Sequence, residues 1–111
     1  MNTIQDCLSD ARKLIEKPEN WTKGAHARDA AGESVDYDSL AALSFCASGA
    51  LEKVHKDYGS VIWTKAYSAL LKSIPNEYLD VADYNDDPET THEDILRLFD
   101  IAINRSGAGN E

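Results

Sequence analysis

The chain has 111 residues, 42% of them hydrophobic and 28% charged, with a formal charge of −9. That length leaves no room for a second core, and the composition is ordinary for a folded globular domain. No apolar run approaches the roughly 18–20 residues of a membrane span. The N-terminal segment carries acids early and lacks the charged-then-apolar layout of a signal peptide, so the cytoplasm is the expected compartment. Two cysteines, Cys7 and Cys46, fit a reducing setting as small apolar groups.

The negative charge is concentrated. Between residues 76 and 104, nine acids (Glu77, Asp80, Asp83, Asp86, Asp87, Glu89, Glu93, Asp94 and Asp100) face one base, Arg97. That segment holds −8 of the −9, and the remainder is nearly neutral. Phosphate backbones require clustered Lys and Arg, so direct nucleic-acid binding is excluded as an expectation. A basic protein partner, or solubility alone, accounts for the charge.

In chain order, Thr3 is the first helix N-cap, with Asp6 in the acidic place of a capping box. Ile4, Leu8, Ala11, Leu14 and Ile15 recur at helical spacing, Cys7 lies beside that stripe, and Pro18 ends the helix. Residues 18–38 have no helical period. Asp29-Ala30-Ala31-Gly32 supplies turn chemistry between 25–28 and 33–35, which predicts a short hairpin. Two short strands are not stable alone in water, so the ribbon must lean on the helices, with Trp21 as its anchor.

Residues 39–58 then predict a long central helix capped by Asp38 or Ser39. Leu40, Leu43, Ala47, Ala50, Leu51, Val54 and Tyr58 line its apolar face, Phe45 and Cys46 widen it, and Gly59 closes it as C′. Gly49, which costs about 1 kcal/mol against Ala inside a helix, implies close approach of another element. A third helix follows Ser60 and stops before Pro75, burying Val61, Ile62, Ala66, Ala69, Leu70 and Ile74. Residues 76–87 read equally as a helical turn or an extended segment docked by Tyr78, Leu79, Val81 and Tyr84. Thr90 or Thr91 caps the last helix, whose core stripe is Ile95, Leu98, Phe99, Ala102 and Ile103. Residues 106–111 are expected to be a disordered tail. The expected architecture is a mainly α, four-helix single domain over 1–105, with a small β-ribbon between helices 1 and 2.

Several residue groups carry candidate chemistry. Residues 83–94 place Asp83, Asn85, Asp87, Glu89 and Asp94 at calcium-loop spacing, but Pro88 stands where that loop requires Gly, and Asp94 where it requires a bidentate Glu. A turn followed by an acidic helix cap explains them better. Cys46, His26 and Asp29 have the residue types of a nucleophilic triad, yet a thiol on an apolar helix face is a structural group. Cys7, Cys46, His26, His55 and His92 lack the close spacing that builds half a metal site, so no metal, cofactor or catalytic residue is assigned. Trp21, Lys23, His26, Arg28 and Asp29 form the densest polar cluster, which reads either as a ligand pocket or as ties holding the ribbon. Trp63 and Tyr67, one turn apart, are a binding pair if exposed and core if not.

Three stretches, WTKGAHARDAAGESV at 21–35, Cys46 with Gly49-Ala50-Leu51, and ADYNDDPETTHEDILRLFDIAI at 82–103, together resemble an uncharacterised family of small bacterial and phage proteins, a domain of unknown function. The first helix ending in ARKLIEKPENW fits the opening of the same pattern. Tyr84 departs from it, since the family pattern favours Trp before Asn-Asp. The resemblance implies an intracellular setting, in the host cytoplasm if phage-encoded. It carries no activity, and it singles out Trp21, Gly24, Arg28, Asp29, Cys46, Gly49, Asn85 and Asp86.

The functional expectation is a non-enzymatic interaction protein. It would meet a basic partner surface through Asp80, Asp83, Asp86, Asp87, Glu89, Glu93 and Asp94, with phage inhibition of a host enzyme or defence as one form. The rival is a small-molecule binder or enzyme with its pocket between the ribbon and the central helix. Homo-oligomerisation stays open.

Overall fold

Two capping boxes set the ends of the helical frame. In the computed structural model, which describes residues 3–107, the Thr3 hydroxyl accepts from the Asp6 amide while Asp6 accepts from the Thr3 amide, opening α1 (Ile4–Leu14). Thr91 and Asp94 repeat the arrangement at α5 (His92–Ser106). Each box satisfies two of the amides that a helix start leaves without partners.

Between them lie β1 (Ala27–Arg28), β2 (Ser34–Val35), β3 (Ser44–Phe45), α2 (Ala47–Lys53), α3 (His55–Ser73) and α4 (Val81–Asp86), with one 3-10 turn at Pro18–Asn20. Helices α1, α3 and α5 pack mutually, and α2 sits against α1, α3 and α4. Their shared core holds Leu8, Ala11 and Ile15 of α1 and its C-cap, Ala66 and Leu70 of α3, and Ile95, Leu98 and Phe99 of α5. Phe99, Leu8, Ile15 and Leu70 are fully buried, each worth roughly 1.5–3 kcal/mol against exposure. Arg12 and Asp100 join α1 to α5 at the rim, Nε to Oδ1 at 2.9 Å and Nη2 to Oδ2 at 3.2 Å. Among the described residues, no helix is long and apolar enough to cross a membrane.

The mainly helical fold and the hairpin agree with the sequence reading, but the central helix does not. Residues 39–43 are not helical, Ser44–Phe45 is a strand, and α2 begins only at Ala47. Its N-cap is Cys46, whose sulfur accepts from the Gly49 amide at 3.2 Å, in place of the expected Asp38 or Ser39. Leu40 and Leu43, assigned to the core by helical spacing, are 103% and 55% exposed, and Val61 of α3 is 71% exposed. The ribbon is therefore a three-stranded antiparallel sheet in the order β2-β1-β3, with Ala27 facing Val35 on one side and Phe45 on the other. Residues 76–87 resolve into a loop and the short helix α4, so the helices among the described residues number five. Ser106, expected to begin a disordered tail, is the buried last residue of α5. Residues 108–111 of that tail lie outside the described residues.

Two glycines are required where they stand. Gly59 adopts φ 80° and ψ 165° and breaks the helical run of α3 one turn after its start, a conformation essentially restricted to glycine. At Gly49 the need is space. A Cβ there would lie 2.0 Å from the His26 carbonyl oxygen, so α2 and the residue before β1 touch backbone to backbone. Gly49→Ala should therefore cost on the order of 1–3 kcal/mol by overpacking, read as a lowered denaturation midpoint. It should also speed hydrogen exchange at the Cys46 amide, which donates to that same carbonyl at 3.2 Å. An unchanged midpoint would show that the two backbones separate freely.

Candidate functional site

Most of the polar residues singled out by sequence converge on one side chain, Asn85. It sits on α4, fully buried. Its Oδ1 accepts from the Trp21 indole nitrogen at 2.7 Å and from the Ala47 amide at 3.0 Å. Its Nδ2 donates to the Thr22 carbonyl at 3.0 Å and to Asp86 Oδ1 at 2.9 Å. Both lone pairs and both N–H bonds of the carboxamide are used, and because indole and amide nitrogens only donate, the amide has one orientation.

Further ties surround it. Asp86 Oδ1 also accepts from the Gly24 amide at 2.9 Å, where Gly24 has φ 79°. Lys23 donates to the Asp87 carbonyl at 2.6 Å, with its ammonium 5.5 Å from the Trp21 ring centroid. The Trp21 ring also meets His92, ring centroids 5.8 Å apart. His92 Nε2 lies 2.7 Å from the Ile15 carbonyl; a carbonyl only accepts, so this nitrogen carries a proton. Residues 21–24 are thereby fastened to α4, α2 and α5.

Arg28 ties the hairpin back to residues 22 and 23, and Asp29 is engaged in the hairpin turn. The guanidinium donates to Thr22 Oγ1, the Gly32 carbonyl and the Lys23 carbonyl, each at 2.9 Å. Asp29 Oδ1 accepts from the Ala31 and Glu33 amides, both at 2.9 Å. His26 is exposed, and its ring meets Tyr37 at 6.4 Å. Among the described residues no hydrogen bond joins the side chains of Cys46, His26 and Asp29. Cys46 is buried, and burial pushes its thiol above the usual range, the opposite of an activated nucleophile. Where the sequence places a pocket between ribbon and central helix, the His26 backbone lies against Gly49.

The acidic residues divide into two groups. Asp80 caps α4 by accepting from the Asp83 amide at 2.8 Å. Asp87 accepts from the Tyr78 hydroxyl at 2.7 Å and the Glu89 amide at 2.8 Å. The Glu89 amide and then Tyr78 hold the Asp87 carboxyl below its usual range, and that bond to Asp87 raises Tyr78 to about 12. Asp94 belongs to the α5 capping box, and Asp86 to the Asn85 node. Asp83, Glu89 and Glu93 are exposed. Among the described residues, nothing bonds to their carboxylates.

A cleft of about 310 Å³ lies elsewhere, lined by Tyr37, Asp38, Glu52, Lys53, His55 and Lys56. Lys53 and Lys56 both lie 3.9 Å from Asp38 Oδ1. His55 stacks on Trp63 at 4.6 Å, and Trp63 on Tyr67 at 5.5 Å, while the Trp63 indole donates to the Leu51 carbonyl. That aromatic pair is half-buried and packed against the core. Sequence reasoning did not assemble this cleft, because its residues are ordinary surface types spread over 37–56 and meet only once the central helix is broken.

A family of unknown function, DUF6197, matches residues 1–105. The chain belongs to this family. No curated protein and no solved structure matches the chain. The match to DUF6197 takes in the whole Asn85 node and both capping boxes.

Two predictions come from this geometry. Asn85→Asp keeps the acceptor for Trp21 and Ala47 but turns a second acceptor toward the Thr22 carbonyl and Asp86. The variant should lose roughly 1–3 kcal/mol at neutral pH, the cost of unsatisfied buried groups. Only the protonated form of the introduced carboxyl can donate there, so the fold raises its pKa. The deficit should then shrink as pH falls toward about 4, and a deficit independent of pH would argue against the assigned hydrogen bonds. For Asp87 the sign is reversed. Its depressed folded pKa contributes stability above about 3.9, the unfolded value, and loses it as pH falls through the folded value. Thermal midpoints of Asp87→Asn should fall less steeply than wild type between about pH 5 and 2; parallel curves would contradict this.

Proposed function

We propose that this chain is a non-enzymatic interaction protein whose C-terminal third meets a basic surface of a protein partner. The observation that supports this best is the division among its acids. Asp80, Asp86, Asp87 and Asp94 bond to the chain's own amides, while Asp83, Glu89 and Glu93 on the same stretch stay exposed and unbonded among the described residues. The first group fixes the backbone that carries the second. A backbone already held in place avoids the loop-ordering cost of association, and the field of the carboxylates steers a cationic partner.

The same stretch also carries an apolar contact. Leu79 is 89% exposed. Its neighbours hold it there: Tyr78 is bonded to Asp87 and packed on Tyr84 at 5.0 Å, Asp80 caps α4, and Val81 is buried. A leucine among carboxylates suits a partner that presents Lys or Arg around an apolar residue. The family resemblance supports a bacterial or phage setting, with inhibition of a host enzyme or defence factor as the biological form.

The test is affinity capture from bacterial lysate, with a variant in which only the unbonded acids are neutralised (Asp83→Asn, Glu89→Gln, Glu93→Gln). Those side chains make no bonds in the fold, so the variant should melt close to wild type. It gives up only the helix-dipole contribution of Asp83 and Glu93 in the first turns of α4 and α5, about 0.3–1 kcal/mol each. Captured proteins should carry clustered Lys and Arg, and should be released near 1 M salt, where the Debye length is about 3 Å. Capture by the variant should fall about tenfold, equivalent to about 1.4 kcal/mol. Capture that survives both the salt and the substitutions would overturn the acidic-surface reading.

A further inference from the structure

We draw no further inference here: the strongest candidate, the charged cleft where Tyr37 and Asp38 of the loop after β2 meet Glu52, Lys53, His55 and Lys56 of α2 and α3, has both lysines facing the Asp38 carboxylate already, and nothing in the structure shows what covers it.

Discussion

The Asn85 carboxamide is the constraint on which the non-helical half of this fold depends. It is fully buried and bonds to Trp21, Thr22, Ala47 and Asp86, residues from three separate stretches of chain. Each such bond is worth only about 0.5–1.5 kcal/mol net, but a buried group left without its partner costs about 1–3 kcal/mol. A network of this kind is therefore worth most when complete. Asparagine suits the position because it offers two acceptor sites and two donors on one short, uncharged side chain.

The need for that node follows from how little else holds the segment. Strands of two residues and a 3-10 turn bury few apolar groups, and strands this short are marginal without a surface to rest on. Ala27 and Phe45 supply the apolar contact, and Gly49 lets the backbone of His26 settle onto α2. Helix α2 is itself only seven residues long, well below the length at which an isolated helix persists. Cys46, Gly49 and Asn85 act together on it: a sulfur cap, a space, and an acceptor for the Ala47 amide. The α1, α3 and α5 packing is of a different kind, held by buried apolar side chains and closed by local caps.

That difference decides what was legible in the sequence. The capping box at Thr3 was readable because both partners lie three residues apart, and the one at Thr91 was readable up to the choice between Thr90 and Thr91. The stripe Ile95, Leu98, Phe99 and Ala102 was readable because helical spacing and burial coincide. In residues 39–58 the same spacing misled. Leu40 and Leu43 fit a helix face, yet the Leu43 amide bonds to the Arg28 carbonyl at 2.8 Å and Ser44–Phe45 pairs with β1. A two-residue strand leaves almost no periodic signal, and cysteine is not a residue whose presence announces an N-cap. The polar node was half visible. Trp21, Arg28, Asn85 and Asp86 stood out through the family pattern, but bonds spanning 62 to 64 positions, as from Gly24 to Asp86 and Trp21 to Asn85, have no local signature.

The polar cluster around Trp21 thus has a definite structural task, whereas the carboxylates of Asp83, Glu89 and Glu93 make no bond among the described residues. Held in this way, residues 21–24 should not leave α4 without opening the fold. Native-state hydrogen exchange at the Trp21 indole and the Ala47 amide tests it most directly, because both protons point at Asn85 Oδ1. The account predicts that the two exchange together, with an opening free energy close to that of global unfolding. Rapid exchange of the Trp21 indole while α1, α3 and α5 stay protected would contradict it, and would make the 21–24 segment a loosely held strap.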